Sequence, residues 1–153
     1  AVAGGLTLAL SCDMRIGAQN AKLGDTSGRF GLLPDEGGAW LFPRAMGLDR
    51  ALKMTLLAET YSADEALALG LLTEVVPDAD VQARALALAE TLAKRAPLAM
   101  RLAKSMMLRG RDMSLEQSLG DAALSVMIAN PSKDVREGVK AFFEKREPEF
   151  KGE

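Results

Sequence analysis

Gly31-Leu32-Leu33-Pro34-Asp35-Glu36-Gly37-Gly38 sets two carboxylates in a glycine-flanked turn between apolar runs, and the rest of the chain is organised around it. Gly31 and Pro34 punctuate the backbone before the acids, Gly37 and Gly38 follow them, and Ala39-Trp40-Leu41-Phe42 predicts the start of a buried helix. A carboxylate at such a junction lies beside backbone N–H groups that have no helical partner. Asp35 and Glu36 therefore either cap the helix or perform chemistry.

Upstream, Gly4 to Cys12 reads Gly-Gly-Leu-Thr-Leu-Ala-Leu-Ser-Cys, apolar on nearly every face, which predicts a helix buried all round and opened by a glycine pair. Glycines at that position let a ligand approach the backbone closely, and the first N–H groups of the helix are unpaired. Gly4 and Gly5 thus mark either an anion or oxyanion site or a close helix packing. Asp13-Met14-Arg15-Ile16-Gly17-Ala18 alternates polar and apolar, as a short strand does, with Asp13 and Arg15 as a structural charge pair or solvated residues. Leu23 to Phe30 is loop-like and delivers the chain to the 34–38 turn, so two glycine-rich turns converge.

Composition narrows the chemistry. The 153 residues, 48% of them hydrophobic, are enough for a packed core. Nineteen basic against 21 acidic residues give a net charge of -2, which argues against nucleic acid or a membrane surface as partner. The single cysteine, Cys12, allows no internal disulfide, and no leader-like segment is present, so a reducing, cytoplasmic compartment is expected. The absence of histidine removes Ser-His-Asp and Cys-His catalysis, and no Cys/His cluster offers a common zinc arrangement, so no metal is expected. Acid–base work falls to carboxylates, Lys, Tyr or water. The opening Ala1-Val2-Ala3-Gly4-Gly5, without a polar lead-in, suggests a longer polypeptide.

From residue 40 onward the pattern is helical. Leu48, Leu52 and Leu56 predict a helix over 49–59, Ser62-Ala63-Asp64-Glu65 is a capping box, and Leu71 to Val76 reads as extended. Val81, Ala85, Leu88 and Leu92 mark a helix interrupted by Pro97, and Leu98, Leu102 and Met106 mark the next. Ser114 to Gln117 is a second capping box. Ser132 caps a final helix whose inward face carries Val135, Val139 and Phe142, ended by Pro148. The cations Arg101, Lys104, Arg109 and Arg111 read as a solvated helix face, and Met100, Met106, Met107 and Met113 as core filler.

Ala1 to Ile16, then Ala21-Lys22-Leu23-Gly24, Gly31 to Gly38 and Leu41-Phe42-Pro43-Arg44 together resemble the enoyl-CoA hydratase/isomerase (crotonase) family. Ser62 to Leu72, Val75-Val76-Pro77 and Ala141 to Arg146 resemble its later segments. The resemblance implies an α/β, ClpP/crotonase-like fold. Residues 1–77 would form the C-terminal part of the spiral core, and 78–153 a helical region for oligomerisation and CoA contacts.

By the same resemblance, the Gly4 N–H would be one of two backbone donors to the thioester oxygen, with Gly5 beside the substrate. Phe142 and Lys145 would contact the CoA adenine and phosphate across the interface of a homo-trimer or homo-hexamer. The CoA thioester is the substrate, and no separate cofactor is implied. The positions of the two hydratase glutamates are occupied by Thr7 and Ser27, and neither side chain is a general base near neutral pH. Asp35 matches the position used by members that shift double bonds. The resemblance therefore favours isomerisation, with Asp35 moving the proton and Glu36 as the reserve group. The Asp35 carboxyl would need its pKa raised by apolar neighbours such as Leu33 and Trp40. Hydration by another carboxylate set, or silent acyl-CoA binding, are the alternatives.

Overall fold

In the computed structural model, which describes residues 1–153, a first unit spans Ala1–Ala87 and a second Leu88–Glu153. The first runs α1 (Gly4–Leu10), β1 (Ile16–Ala18), β2 (Lys22–Gly24), a 3-10 turn (Ser27–Phe30), α2 (Gly38–Met46), α3 (Leu48–Leu56), β3 (Thr60–Ser62), α4 (Ala63–Ala68) and β4 (Glu74–Val76). Helix α5 (Val81–Ala93) carries the division between the units, downstream of Pro77. The second unit continues with α6 (Pro97–Gly110), α7 (Leu115–Ala129) and α8 (Lys133–Glu144).

Within the first unit β1 pairs in parallel with β4, Ile16 opposite Glu74 and Ala18 opposite Val76. Strand β2 pairs antiparallel with β3, Leu23 opposite Tyr61. Val2 bridges Gly24, and the Ala3 N–H donates to the Gly24 carbonyl at 3.0 Å, so the segment entering α1 is pinned to the end of β2. Leu6 and Leu10 of α1 pack with Phe42 and Met46 of α2, both pairs four residues apart and so on one helix face. Burying a side chain such as Phe42 stabilises by about 1.5–3 kcal/mol.

Several sequence expectations need correction. Helix α1 is not buried all round. Its buried residues are Leu6, Thr7 and Leu10, whereas Leu8 is 72% exposed, because α1 packs against α2 with one face only. On α3 the predicted helix forms, but Leu48, Leu52 and Leu56 lie exposed and the core is reached by Ala51 and Met54 instead. Arg15 donates its Nε–H to the Leu71 carbonyl at 2.8 Å and an Nη1–H to the Cys12 carbonyl at 2.9 Å. It straps the entry of β1 to the link between α4 and β4.

Both capping boxes are present, with the Ser62 and Ser114 side chains accepting from the Glu65 and Gln117 N–H groups, and Pro97 sits in the first turn of α6. Met107 is exposed on α6 and fills no core. On α8 the expected inward face is turned out, with Val135, Val139 and Phe142 exposed and Asp134 and Ala141 buried. The cause is the tail. Lys145, in the left-handed region at φ 53°, ends α8 before Pro148, and the chain folds back over it. The Asp134 carboxylate accepts from the Lys151 and Gly152 N–H groups, each at 2.8 Å, and the Phe150 ring packs beside Gly138.

Candidate active site

The approach to α1 is a tight turn. The Gly5 N–H donates to the Val2 carbonyl at 2.9 Å, and between them Ala3 adopts φ 48°, ψ -126°. These are the torsions of the first central residue of a type II′ turn, where glycine is the usual occupant. Holding alanine there costs about 1–3 kcal/mol, a strain the surrounding hydrogen bonds must overcome. The Leu6 and Thr7 N–H groups both donate to the Ala3 carbonyl, at 2.9 and 3.1 Å. The Gly4 N–H, first in the helix, is left without an acceptor.

The 34–38 turn arrives on the same place. Gly37, at φ 102°, is the N-cap of α2, and no side chain caps that helix. The Trp40 and Leu41 N–H groups donate to the Gly37 carbonyl at 3.1 and 3.0 Å, and the Ala39 N–H donates to the Pro34 carbonyl at 3.0 Å. Neither acid is a cap. The Glu36 carboxylate instead lies against Gly4, so that a β-carbon on Gly4 would stand 3.0 Å from Oε1 and 3.3 Å from Cδ. One residue on, a β-carbon at Gly37 would stand 3.6 Å from the Thr7 Cγ2. The two glycine-rich turns do converge, and it is Glu36 that meets Gly4.

Asp35, on the same turn, is exposed. The apolar enclosure expected around it is not formed by this chain, since Leu33 is 73% and Trp40 49% exposed. The Arg44 guanidinium stacks 3.9 Å from the Trp40 ring centre and donates to the Trp40 carbonyl at 3.3 Å. Gly5 has open space where a side chain would project. Phe142 and Lys145 lie in the second unit, both exposed. Phe142 meets Phe143 edge to face at 5.8 Å.

Thr7 and Ser27 are both buried, and the Thr7 hydroxyl donates to the Ala3 carbonyl at 3.4 Å. Asp25, which the sequence reading passed over, is 0% exposed. Its Oδ1 accepts from the Ser27 N–H at 3.0 Å, and its Oδ2 is buried with no partner. The Asp-Thr-Ser order was the available signal, because an aspartate readily accepts from the backbone two residues on. Tyr61, the single tyrosine, donates to Glu59 at 2.8 Å. Burial, then the neighbouring carboxylate, pushes its pKa up to about 12, which removes it as a base at neutral pH. No group of three or more His, Cys, Asp or Glu is arranged to hold a metal ion. Of the two acids in the 34–38 turn, Glu36 is the one found against Gly4.

Comparison with known proteins identifies relatives of the chain. A family model described as enoyl-CoA hydratase/isomerase matches residues 1–153. An (E)-benzylidenesuccinyl-CoA hydratase of Thauera aromatica is 40% identical over 152 residues, covering 99% of this chain and 59% of that protein. A mitochondrial methylglutaconyl-CoA hydratase of Homo sapiens is 37% identical, covering 100% of this chain and 46% of its own length. The crystal structure of an enoyl-CoA hydratase from Bacillus anthracis superposes with a TM-score of 0.97 at 37% identity, covering 100% of this chain and 59% of that one. The chain therefore spans about half to three-fifths of the length of these relatives.

Proposed function

The chain belongs to the enoyl-CoA hydratase/isomerase family, and from that premise we propose that the protein carrying it binds acyl-CoA thioesters, stabilises their enolates and moves one proton. Its architecture is the C-terminal part of the crotonase fold. The observation that carries the proposal is the meeting of the two turns, an unpaired Gly4 N–H with a carboxylate of the 34–38 turn against the same glycine. A thioester oxygen on that N–H gains negative charge as a C–H bond beside the carbonyl is broken. A preorganised donor there is worth several kcal/mol in the transition state.

Double-bond isomerisation is the favoured reaction. Thr7 and Ser27 are buried hydroxyls where the family resemblance puts the hydratase glutamates, so the proton moves through the acids of the turn, with Asp35 as the assigned group and Glu36 beside it. Hydration, a lyase reaction, is the second reading, and the hydratase names of the relatives favour it. A catalytically silent acyl-CoA-binding subunit is the remaining case. In a homo-trimer or homo-hexamer, Phe142 and Lys145 would supply CoA contacts. No helix is long and apolar enough to cross a membrane.

The test assays the full-length protein with 3-enoyl-CoA and 2-enoyl-CoA. Interconversion of the two, lost in Asp35→Asn with binding unchanged, supports the isomerase. Production of 3-hydroxyacyl-CoA replaces it with the hydratase, and binding without turnover leaves only the silent subunit.

A further inference from the structure

The geometry points to Glu36, not Asp35, as the base that removes the proton from the carbon next to the thioester carbonyl, and this rests on the enolate chemistry proposed above. The Glu36 carboxylate is the charged group that lies against Gly4, 3.0 Å from the point a β-carbon would occupy. That places Oε1 within roughly 5.5 Å of the Gly4 nitrogen, since a β-carbon stands about 2.5 Å from its own nitrogen. A thioester oxygen accepting from the Gly4 N–H would sit about 2.9 Å from that nitrogen. The Glu36 carboxylate and a thioester oxygen on the Gly4 N–H would thus meet at one residue, and reach to the carbon beside that carbonyl is the first requirement of a general base.

Charge decides the role. A carboxylate beside the Gly4 amide opposes a second anion forming on the thioester oxygen. The conflict disappears if the first anion is discharged by the same event that creates the second. When the C2–H bond breaks, its proton passes to Glu36, the bonding pair becomes the carbon–carbon π bond of the enolate, and the negative charge comes to rest on the oxygen at Gly4. The site carries one negative charge before and after. Reversal returns the proton from Glu36 to C2. No other group at the turn fits the role as well. Glu36 is spared from capping α2, so its carboxylate is not spent on that helix's N–H groups. Asp35 remains the group for the proton exchanged at the more distant carbon.

Enolisation alone is read by hydrogen exchange at C2, without any double bond to move. The full-length protein is incubated with butanoyl-CoA in D2O, and deuterium at C2 is followed by NMR, with acyl-CoA affinity measured in parallel. The expected result is exchange in the wild type, lowered about 10²–10⁴-fold in Glu36→Gln with affinity unchanged. Glu36→Asp, which keeps the acid but draws it back from Gly4, should retain exchange at an intermediate rate. Wild-type exchange in Glu36→Gln would overturn the assignment while leaving the enolate chemistry standing. A wild type that binds butanoyl-CoA but never exchanges C2, and turns over neither enoyl-CoA, would end both.

Discussion

The Ala3 N–H donates to the Gly24 carbonyl at 3.0 Å, and that bond holds the residue before Gly4 in a backbone conformation alanine rarely adopts. The strain sits one residue from the unpaired Gly4 amide. Ala3→Gly should relieve it, stabilising the protein by about 1 kcal/mol after the extra freedom of glycine in the unfolded chain is counted. Ala3→Val should lose a comparable amount or more. Thermal unfolding of both variants measures this, and equal midpoints for wild type and Ala3→Gly would contradict it.

Gly4→Ala places a methyl group 3.0 Å from Glu36 Oε1. Glu36 is exposed and can swing away, so unfolding temperature should change little. The carboxylate, however, leaves its position, and a displacement of about 1 Å at a reacting group costs on the order of 10²-fold in rate. Turnover of 3-enoyl-CoA should fall by roughly that factor. Full activity in Gly4→Ala would mean that the contact with Glu36 is incidental.

The tail should unlatch in acid. Glu137 accepts two hydrogen bonds from Arg146 at 2.6 and 3.0 Å, and another from the Glu149 N–H at 2.9 Å. The Arg146 side chain, then the Glu149 amide, hold its pKa down at about 2, from an ordinary 4.5. A carboxyl lowered on folding stabilises above its unfolded pKa and loses that contribution as pH falls. The latch is therefore complete above pH 4.5 and released towards pH 2. Amide hydrogen exchange at Glu149 should accelerate across that window, and Glu137→Gln should remove the dependence.

Asp134→Ala should free the last residues at any pH. Two backbone donors, from Lys151 and Gly152, lose their charged acceptor, at a cost of about 2 kcal/mol locally. Limited proteolysis should then cut after Lys151, a site resistant in the wild type.

Local signals were read well from the sequence, because they are satisfied within a few residues. The Ser62 and Ser114 capping boxes and the break at Pro97 follow from side-chain chemistry at short range. What escaped depends on distant partners. The α3 leucines gave the right period but not the face, which is set by Ala51 and Met54 meeting the core. The α8 face was inverted because the covering element is the chain's own tail. At the site, the choice between Asp35 and Glu36 depends on which side chain the Gly37 turn aims at Gly4. The conformation of Ala3 was hidden because alanine does not announce a II′ turn.

The parallel pairing of β1 with β4 joins Ile16 to Glu74. Nothing local can nucleate such a ladder, and closing the long intervening segment costs chain entropy before the ladder repays it. On the ribosome, the first unit must wait for residues beyond Val76 to emerge before this pairing can form. Completion of the first unit should accordingly be a late and comparatively slow event, timed by translation of the segment that carries β4.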